Sequence, residues 1–218
     1  MTVGAKAGTN GENHNHNDIG SYILHKGRSF FLTDPGAPVY SKKTFSGRRY
    51  ESVYCNSFGH SVPVINGRRQ SEGSRFRGEI RADGLDGDGP KTLAIAMAGA
   101  YDDPTLVKLD RTLTLAPDGR RLTLVDTYAF TEPPTALEEA FITTLAATVD
   151  PDGRSVVIRS PQDGALRLRA EGVAGRFAVT ELTEESRESR TGELLRRITF
   201  TPGTRTAAMT LRFTATFE

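Results

Sequence analysis

Two of the chain's four histidines fall in one window of three residues, inside the polar run Asn10-Gly11-Glu12-Asn13-His14-Asn15-His16-Asn17-Asp18. His14, His16 and Asp18 alternate. Along an extended segment alternate side chains leave the same face, where imidazole nitrogens and a carboxylate can meet one cation. Two later residues widen the set. Asp34 ends the strand-like run Ser29-Phe30-Phe31-Leu32-Thr33 and precedes Pro35-Gly36, a position that also suits a simple turn former. His60 follows Gly59 and opens onto Val62-Pro63-Val64-Ile65, where a hydrogen-bonded structural histidine would also fit. With His16 these offer two imidazoles and one carboxylate, a donor set that suits zinc. The plain alternative for 10–18 is a solvated, asparagine-rich loop.

Side chains can converge only if rigid elements bring them together, and the pattern predicts strands. Val107, Leu109, Arg111, Leu113 and Leu115 alternate with Leu106, Lys108, Asp110, Thr112 and Thr114; Leu122, Leu124 and Asp126 alternate with Arg121, Thr123 and Val125. A period of two with one apolar face is the mark of an antiparallel sheet. Asn66-Gly67, Pro117-Asp118-Gly119 and Pro151-Asp152-Gly153 carry the residues that close tight turns. Further strands are predicted at 19–25, 28–33, 75–82, 92–98, 136–145, 155–159, 165–170, 175–182, 194–200 and 206–217, with 183–190 as a short helix or charged loop. So many short strands predict an all-β fold, a large antiparallel β-sandwich of two packed sheets, as one domain over 1–218. The stretch 83–89 reads as a loop. Its Asp86-Gly87-Asp88-Gly89 lacks the ordered ligand series of a calcium loop.

The 218 residues carry 28 basic and 27 acidic side chains, a net charge of +1, so bulk charge favours neither nucleic acid nor a membrane surface as partner. The one cysteine, Cys55, excludes an intrachain disulfide and reads as a small buried hydrophobe. No apolar run reaches the roughly 20 residues that span a bilayer. Residues 1–6 lack the hydrophobic core of a signal peptide, so any export signal is expected outside the chain.

The stretch from Asn10 to Gln70 resembles the heparinase II/III family of polysaccharide lyases. The matching segments are His14-Asn15-His16-Asn17-Asp18-Ile19-Gly20-Ser21-Tyr22, Asp34-Pro35-Gly36, Ser57-Phe58-Gly59-His60-Ser61-Val62-Pro63-Val64 and Ile65-Asn66-Gly67-Arg68-Arg69-Gln70. This resemblance implies a C-terminal β-sandwich whose N-terminal partner, an α/α toroid, is missing from this chain. It implies β-elimination of a uronate-containing polysaccharide or oligosaccharide, glycosaminoglycan or alginate, at a cleft between the two domains. It maps His14 to the cleft and assigns a zinc ion, structural in role, to His16, Asp34 and His60. Asp18 is then the natural acceptor for the far N–H of one imidazole. The toroid would supply the catalytic tyrosine, so the chain alone is expected to bind metal and to catalyse poorly or not at all.

β-Elimination needs a group to neutralise the carboxylate, a base for the carbon proton and an acid for the leaving oxygen. An imidazole, with an unperturbed pKa of about 6.5, suits proton transfer near neutrality, which makes His14 the catalytic candidate. Arg48, Arg49, Arg68 and Arg69 could pair with an anionic sugar, although arginines at turns are usually just solvated. Tyr50 and Tyr54 could stack on sugar rings or belong to the core, and Asn56 could reach the cleft. His25 reads as a structural edge residue. Two other readings stand beside the lyase. One is a non-catalytic carbohydrate-binding or structural β-sandwich with a zinc clamp. The other is a cupin-type metalloenzyme, disfavoured because 17–33 contains no glutamate.

Overall fold

The computed structural model describes residues 1–218. Its strands, in chain order, are β1 (Thr2–Ala5), β2 (Gly8–Asn10), β3 (Tyr22–Lys26), β4 (Ser29–Leu32), β5 (Val64–Ile65), β6 (Gly73–Asp83), β7 (Lys91–Ala96), β8 (Leu106–Leu115), β9 (Arg121–Phe130), β10 (Leu137–Thr143), β11 (Ala146–Val149), β12 (Ser155–Ser160), β13 (Gly164–Glu171), β14 (Gly175–Glu181), β15 (Arg196–Pro202) and β16 (Ala208–Phe217). One nine-stranded sheet runs β11-β12-β13-β16-β9-β8-β7-β6-β2. A four-stranded sheet runs β14-β15-β10-β5 and a three-stranded sheet β1-β3-β4. Every pairing is antiparallel. No helix is long and apolar enough to cross a membrane.

The two smaller sheets share the inner face of the large one, as the aromatic packing makes plain. Phe31 of β4 meets Phe217 of β16 edge-on at 4.8 Å, while Phe141 of β10 and Phe200 of β15 meet Phe213 of β16 at 5.1 and 5.2 Å. Such pairs contribute about 0.5–1.5 kcal/mol each beyond their area burial. The backbone joins the two smaller sheets where Thr33 N donates to Ile142 O at 2.9 Å. The sandwich expected from the sequence is therefore present, with its second layer divided in two.

Turn chemistry behaves as its residues require. Asn66 and Gly67 both take positive φ, 51° and 72°, and Ile65 and Arg68 exchange both backbone hydrogen bonds across them. Gly119 and Gly153 take the left-handed positions of their turns. Several boundaries differ from expectation. The run 19–25 begins pairing only at Tyr22, because Gly20 at φ 87° and the bond from Ser21 N to Asp18 O turn the chain first. Pro63 lacks an N–H, and only Val64 and Ile65 of the run 62–65 pair, with Glu138 and Leu137. Val107, expected on the inward face, is 63 % exposed, because a register shift between Leu106 and Lys108 reverses the alternation there. Strands β1, β2 and β11 were not signalled by the pattern, and 183–190 contributes one 3-10 turn, Glu185–Glu188.

Candidate functional site

The polar run is a looped segment, not the extended one on which alternate side chains would share a face. Asn15 N donates to Glu12 O, and His14 sits at φ 59°, a left-handed backbone that a residue with a Cβ adopts at a cost. His14 is consequently turned outward, its exposed ring edge-on to Phe45 at 6.0 Å, while His16 and Asp18 turn inward. The inward pair finds His60: ligand atoms of His16, Asp18 and His60 all lie within 4.8 Å of one another, and the two imidazole rings are 5.4 Å apart. Asp34 reaches the same histidine, its Oδ2 3.1 Å from His60 Nδ1, while its Oδ1 accepts from Gly36 N at 2.8 Å. Asp34 is thus turn former and site residue together.

The protonation chemistry of His60 tests whether these groups suit a cation. Its Nε2 lies 3.2 Å from the carbonyl of Tyr54, which can only accept, so Nε2 carries the hydrogen. A neutral ring would then aim a bare Nδ1 lone pair at the Asp34 carboxylate. Two acceptors facing each other at that range need a positive charge, supplied by a proton or by a metal ion. With a proton there, burial works against the charged His60 ring, but the hydrogen bond and charge of Asp34 outweigh it and raise the pKa. Asp34 mirrors this: burial opposes its ionisation, yet the His60 hydrogen bond and charge hold it down at about 2. Burial, with His60 adding to it, lowers His16 to about 4, so the ring is neutral near pH 7 with one nitrogen lone pair free. Neutral imidazole and ionised carboxylate are the forms that bind zinc, and His16, Asp18, Asp34 and His60 are residues of those types, so the residues fit the ion in type.

Several residues that position the cluster carried no assignment in the sequence. Lys6 Nζ donates to Asp18 Oδ1 at 2.5 Å and to Asn15 Oδ1 at 3.2 Å, so Asp18 is held by an ammonium and not, as expected, by an imidazole N–H. Gln70 brackets Ile19, accepting from its N–H at 3.0 Å and donating to its carbonyl at 2.6 Å, while its own N–H donates to Ser57 Oγ at 2.9 Å. One residue, through its side chain and its backbone, thereby spans the loop of His16 and the loop of His60.

Arg111, fully buried, does the same from beneath. Its Nη1 donates to Gly20 O at 2.9 Å and Ser61 O at 2.6 Å, and its Nε and Nη2 grip Asp126, with Nη2 also 3.2 Å from Glu139 Oε2. Arg111 and Asp126 face each other in the β8 and β9 register. A charge pair in the apolar phase of two adjacent strands was a signal the sequence did contain.

The remaining candidates separate clearly. Arg48 forks onto Glu51 at 2.8 and 2.9 Å in solvent. Arg49 is committed to carbonyls of the site loop, donating to His14 O at 2.8 Å, Asn15 O at 3.0 Å and Thr44 O at 3.1 Å, and so holds the strained His14 backbone. Arg68 makes one contact, 3.4 Å to Asp102 O, and Arg69 lies over the Phe58 ring at 4.9 Å. Asn56 caps its own loop, accepting from Phe58 N and donating to Tyr50 O. Tyr50 is half-buried in the turn Arg49–Glu51, whereas Tyr54 and Cys55 belong to the core. His25 packs on Phe30 at 4.6 Å with the rings tilted by 46°, and lies on β3, the central strand of its sheet, not at an edge as expected.

These features define a class: an antiparallel β-sandwich domain with a histidine and carboxylate cluster built from loops between its sheets. The family described as Heparinase II/III-like, C-terminal, matches residues 1–213, and the chain belongs to it. Solved structures agree in fold. A heparan sulfate lyase HepC from Pedobacter heparinus superposes with a TM-score of 0.73 at 15 % identity, covering 98 % of this chain and 32 % of that one. A heparinase III gene product gives 0.70 at 13 %, covering 99 % and 32 %. A further heparinase III gives 0.66 at 16 %, covering 93 % and 29 %. The chain therefore spans about a third of the length of these structures. No curated protein matches it.

Proposed function

We propose that this chain is the C-terminal domain of a polysaccharide lyase that cleaves a uronate-containing polymer by β-elimination, with an α/α toroid as its N-terminal partner. What supports the reading is the gathering of His16 and Asp18 at His60, with Asp34 3.1 Å from the same ring, beside an outward-facing His14 in a domain of this family. His16, Asp34 and His60 would hold one zinc ion, which supplies a fixed positive charge joining the two loops. The chain's own residues do the rest. Arg49 and Lys6 fix the loop, and His14 is presented to the substrate, where it exchanges a proton or neutralises the uronate carboxylate. Among the four arginines, Arg68 and Arg69 have the least committed guanidinium groups and are assigned to the anionic sugar.

Two measurements test this. Purified chain should contain one zinc per molecule by elemental analysis, and His60→Ala should lose it. In the full-length protein, His14→Ala should lower eliminative cleavage, read as ultraviolet absorbance of the unsaturated product, by about 10²–10⁴-fold with zinc retained. Unchanged turnover in that variant would remove His14 from the chemistry, and a zinc-free native chain would remove the metal.

A further inference from the structure

Beside His14 lies a surface that the site described so far does not use. Phe45 is 62 % exposed and Tyr40 51 % exposed. Their rings meet at 5.3 Å and an angle of 63°, and Phe45 in turn meets the His14 ring edge-on at 6.0 Å. The guanidinium of Arg190 lies over the Tyr40 ring at 5.4 Å. Exposed large rings that touch one another and a cation, instead of scattering singly, mark a binding surface.

The platform is held firmly from below. Pro38 bridges to Ser189, Val39 N donates to Glu188 O at 2.8 Å, and Glu188 also accepts from the Ser52 hydroxyl and pairs with Lys43 at 3.4 Å. These bonds tie the loop that carries Tyr40 to the segment that carries Arg190, two stretches about as far apart in the chain as His16 is from Glu171. Thr44, buried between the rings in sequence, accepts from Ser41 N at 3.1 Å and its carbonyl is held by Arg49.

From this geometry we propose that Tyr40, Phe45 and Arg190 form a subsite for an acidic sugar unit next to the one at His14. The ligand class rests on the lyase reading above; the location rests on the rings and the cation. A pyranose offers one apolar C–H face, which an exposed ring covers, and a uronate or sulfate on its edge, which a guanidinium meets. The loop from residue 39 to 51 carries Lys42, Lys43, Arg48 and Arg49; Lys43 pairs with Glu188 and Arg48 with Glu51, which leaves the charges of Lys42 and Arg49 uncompensated, an excess that suits an anionic chain and does not suit a buried protein contact. Continuity with His14 gives the bound polymer a direction: past Tyr40 and Phe45 toward the reacting unit.

The test uses the zinc-loaded 218-residue chain, titrated by calorimetry with size-defined heparan sulfate and alginate oligosaccharides and with a neutral β-glucan oligosaccharide of equal length. Wild type should bind an acidic oligosaccharide and not the neutral one. The pair Tyr40→Ala with Phe45→Ala should weaken binding by about tenfold or more, and Arg190→Gln by about threefold. Phe45→Tyr, which keeps the ring, should bind like wild type, and Phe30→Ala, an exposed ring elsewhere, should change nothing. Undiminished binding by the double variant overturns the proposal, as does equal binding of the neutral sugar. So does an association of chains in sedimentation that the double variant abolishes, since the platform would then be a contact between copies. The lyase reading is decided separately, by zinc content and by cleavage in the full-length protein, so either idea can fail while the other stands.

Discussion

Replacing Arg111 with alanine removes the one cation from a closed interior. All five of its N–H donors have acceptors: two carbonyls, Gly20 O and Ser61 O, the carboxylate of Asp126 and the carboxyl group of Glu139. Arg111, Asp126 and Glu139 are all fully buried, so the truncated protein must leave carboxylate and carbonyl oxygens without partners in a place water reaches poorly. Breaking one partner of such a pair costs about 3–5 kcal/mol, a large part of the roughly 5–15 kcal/mol by which domains are stable. Urea denaturation should show that loss directly. A second variant separates stability from positioning. Arg111→Met, Asp126→Leu and Glu139→Met together replace the charges by apolar groups, and such replacements are commonly neutral or stabilising. The triple variant should regain most of the lost stability, yet Gly20 and Ser61 would no longer be tied to one guanidinium. The loops of His16 and His60 would then be free to part, and zinc affinity should fall. A single variant within 1 kcal/mol of wild type, or a triple variant with undiminished zinc affinity, refutes the argument.

Other outcomes follow from the same geometry. Gln70→Ala leaves both backbone groups of Ile19 without their side-chain partners and should cost about 2–4 kcal/mol in chemical denaturation. A Cβ on Gly59 would lie 2.2 Å from Val53 O, so Gly59→Ala should displace His60, destabilise the fold by about 1–3 kcal/mol and weaken zinc binding by titration. Burial, reinforced by the Asp126 charge and only partly offset by Arg111, raises the Glu139 carboxyl well above its ordinary 4.5. The folded state therefore holds this proton more tightly than the unfolded one. The contribution is fully present below the unfolded value and is lost as pH rises from there toward the folded value. Glu139→Gln should flatten the decline in urea midpoint across that window; an unchanged slope would show that Glu139 does not titrate in it.

Much of the architecture was legible because it is written in local patterns. Alternation along β8 and β9 and the turns at Asn66-Gly67, Pro117-Asp118-Gly119 and Pro151-Asp152-Gly153 depend on residues a few positions apart. Of the candidate cluster, His16, Asp34 and His60 were named through the segments that resemble a family, whereas the structure sets Asp18, expected only as a hydrogen-bond acceptor, among the ligand atoms with His16 and His60. What the pattern missed were short edges without a clear period, β1, β2 and β11, and the bulge that turns Val107 outward.

The sequence by itself determined the strand-forming periodicity, the turn positions and the chemical inventory of the site. Only the tertiary structure decided how that inventory is arranged. It turned His14 out and His16 in, gave Asp18 to Lys6, committed Arg49 to the loop backbone, and brought Tyr40 beside Arg190. The physical reason is one of range. Periodicity and turn preference act between neighbours in the chain, whereas Arg111 meets Gly20 and His60 meets Asp34 only after the sheets have packed. A left-handed backbone at a single histidine is stable only because distant hydrogen bonds hold it there.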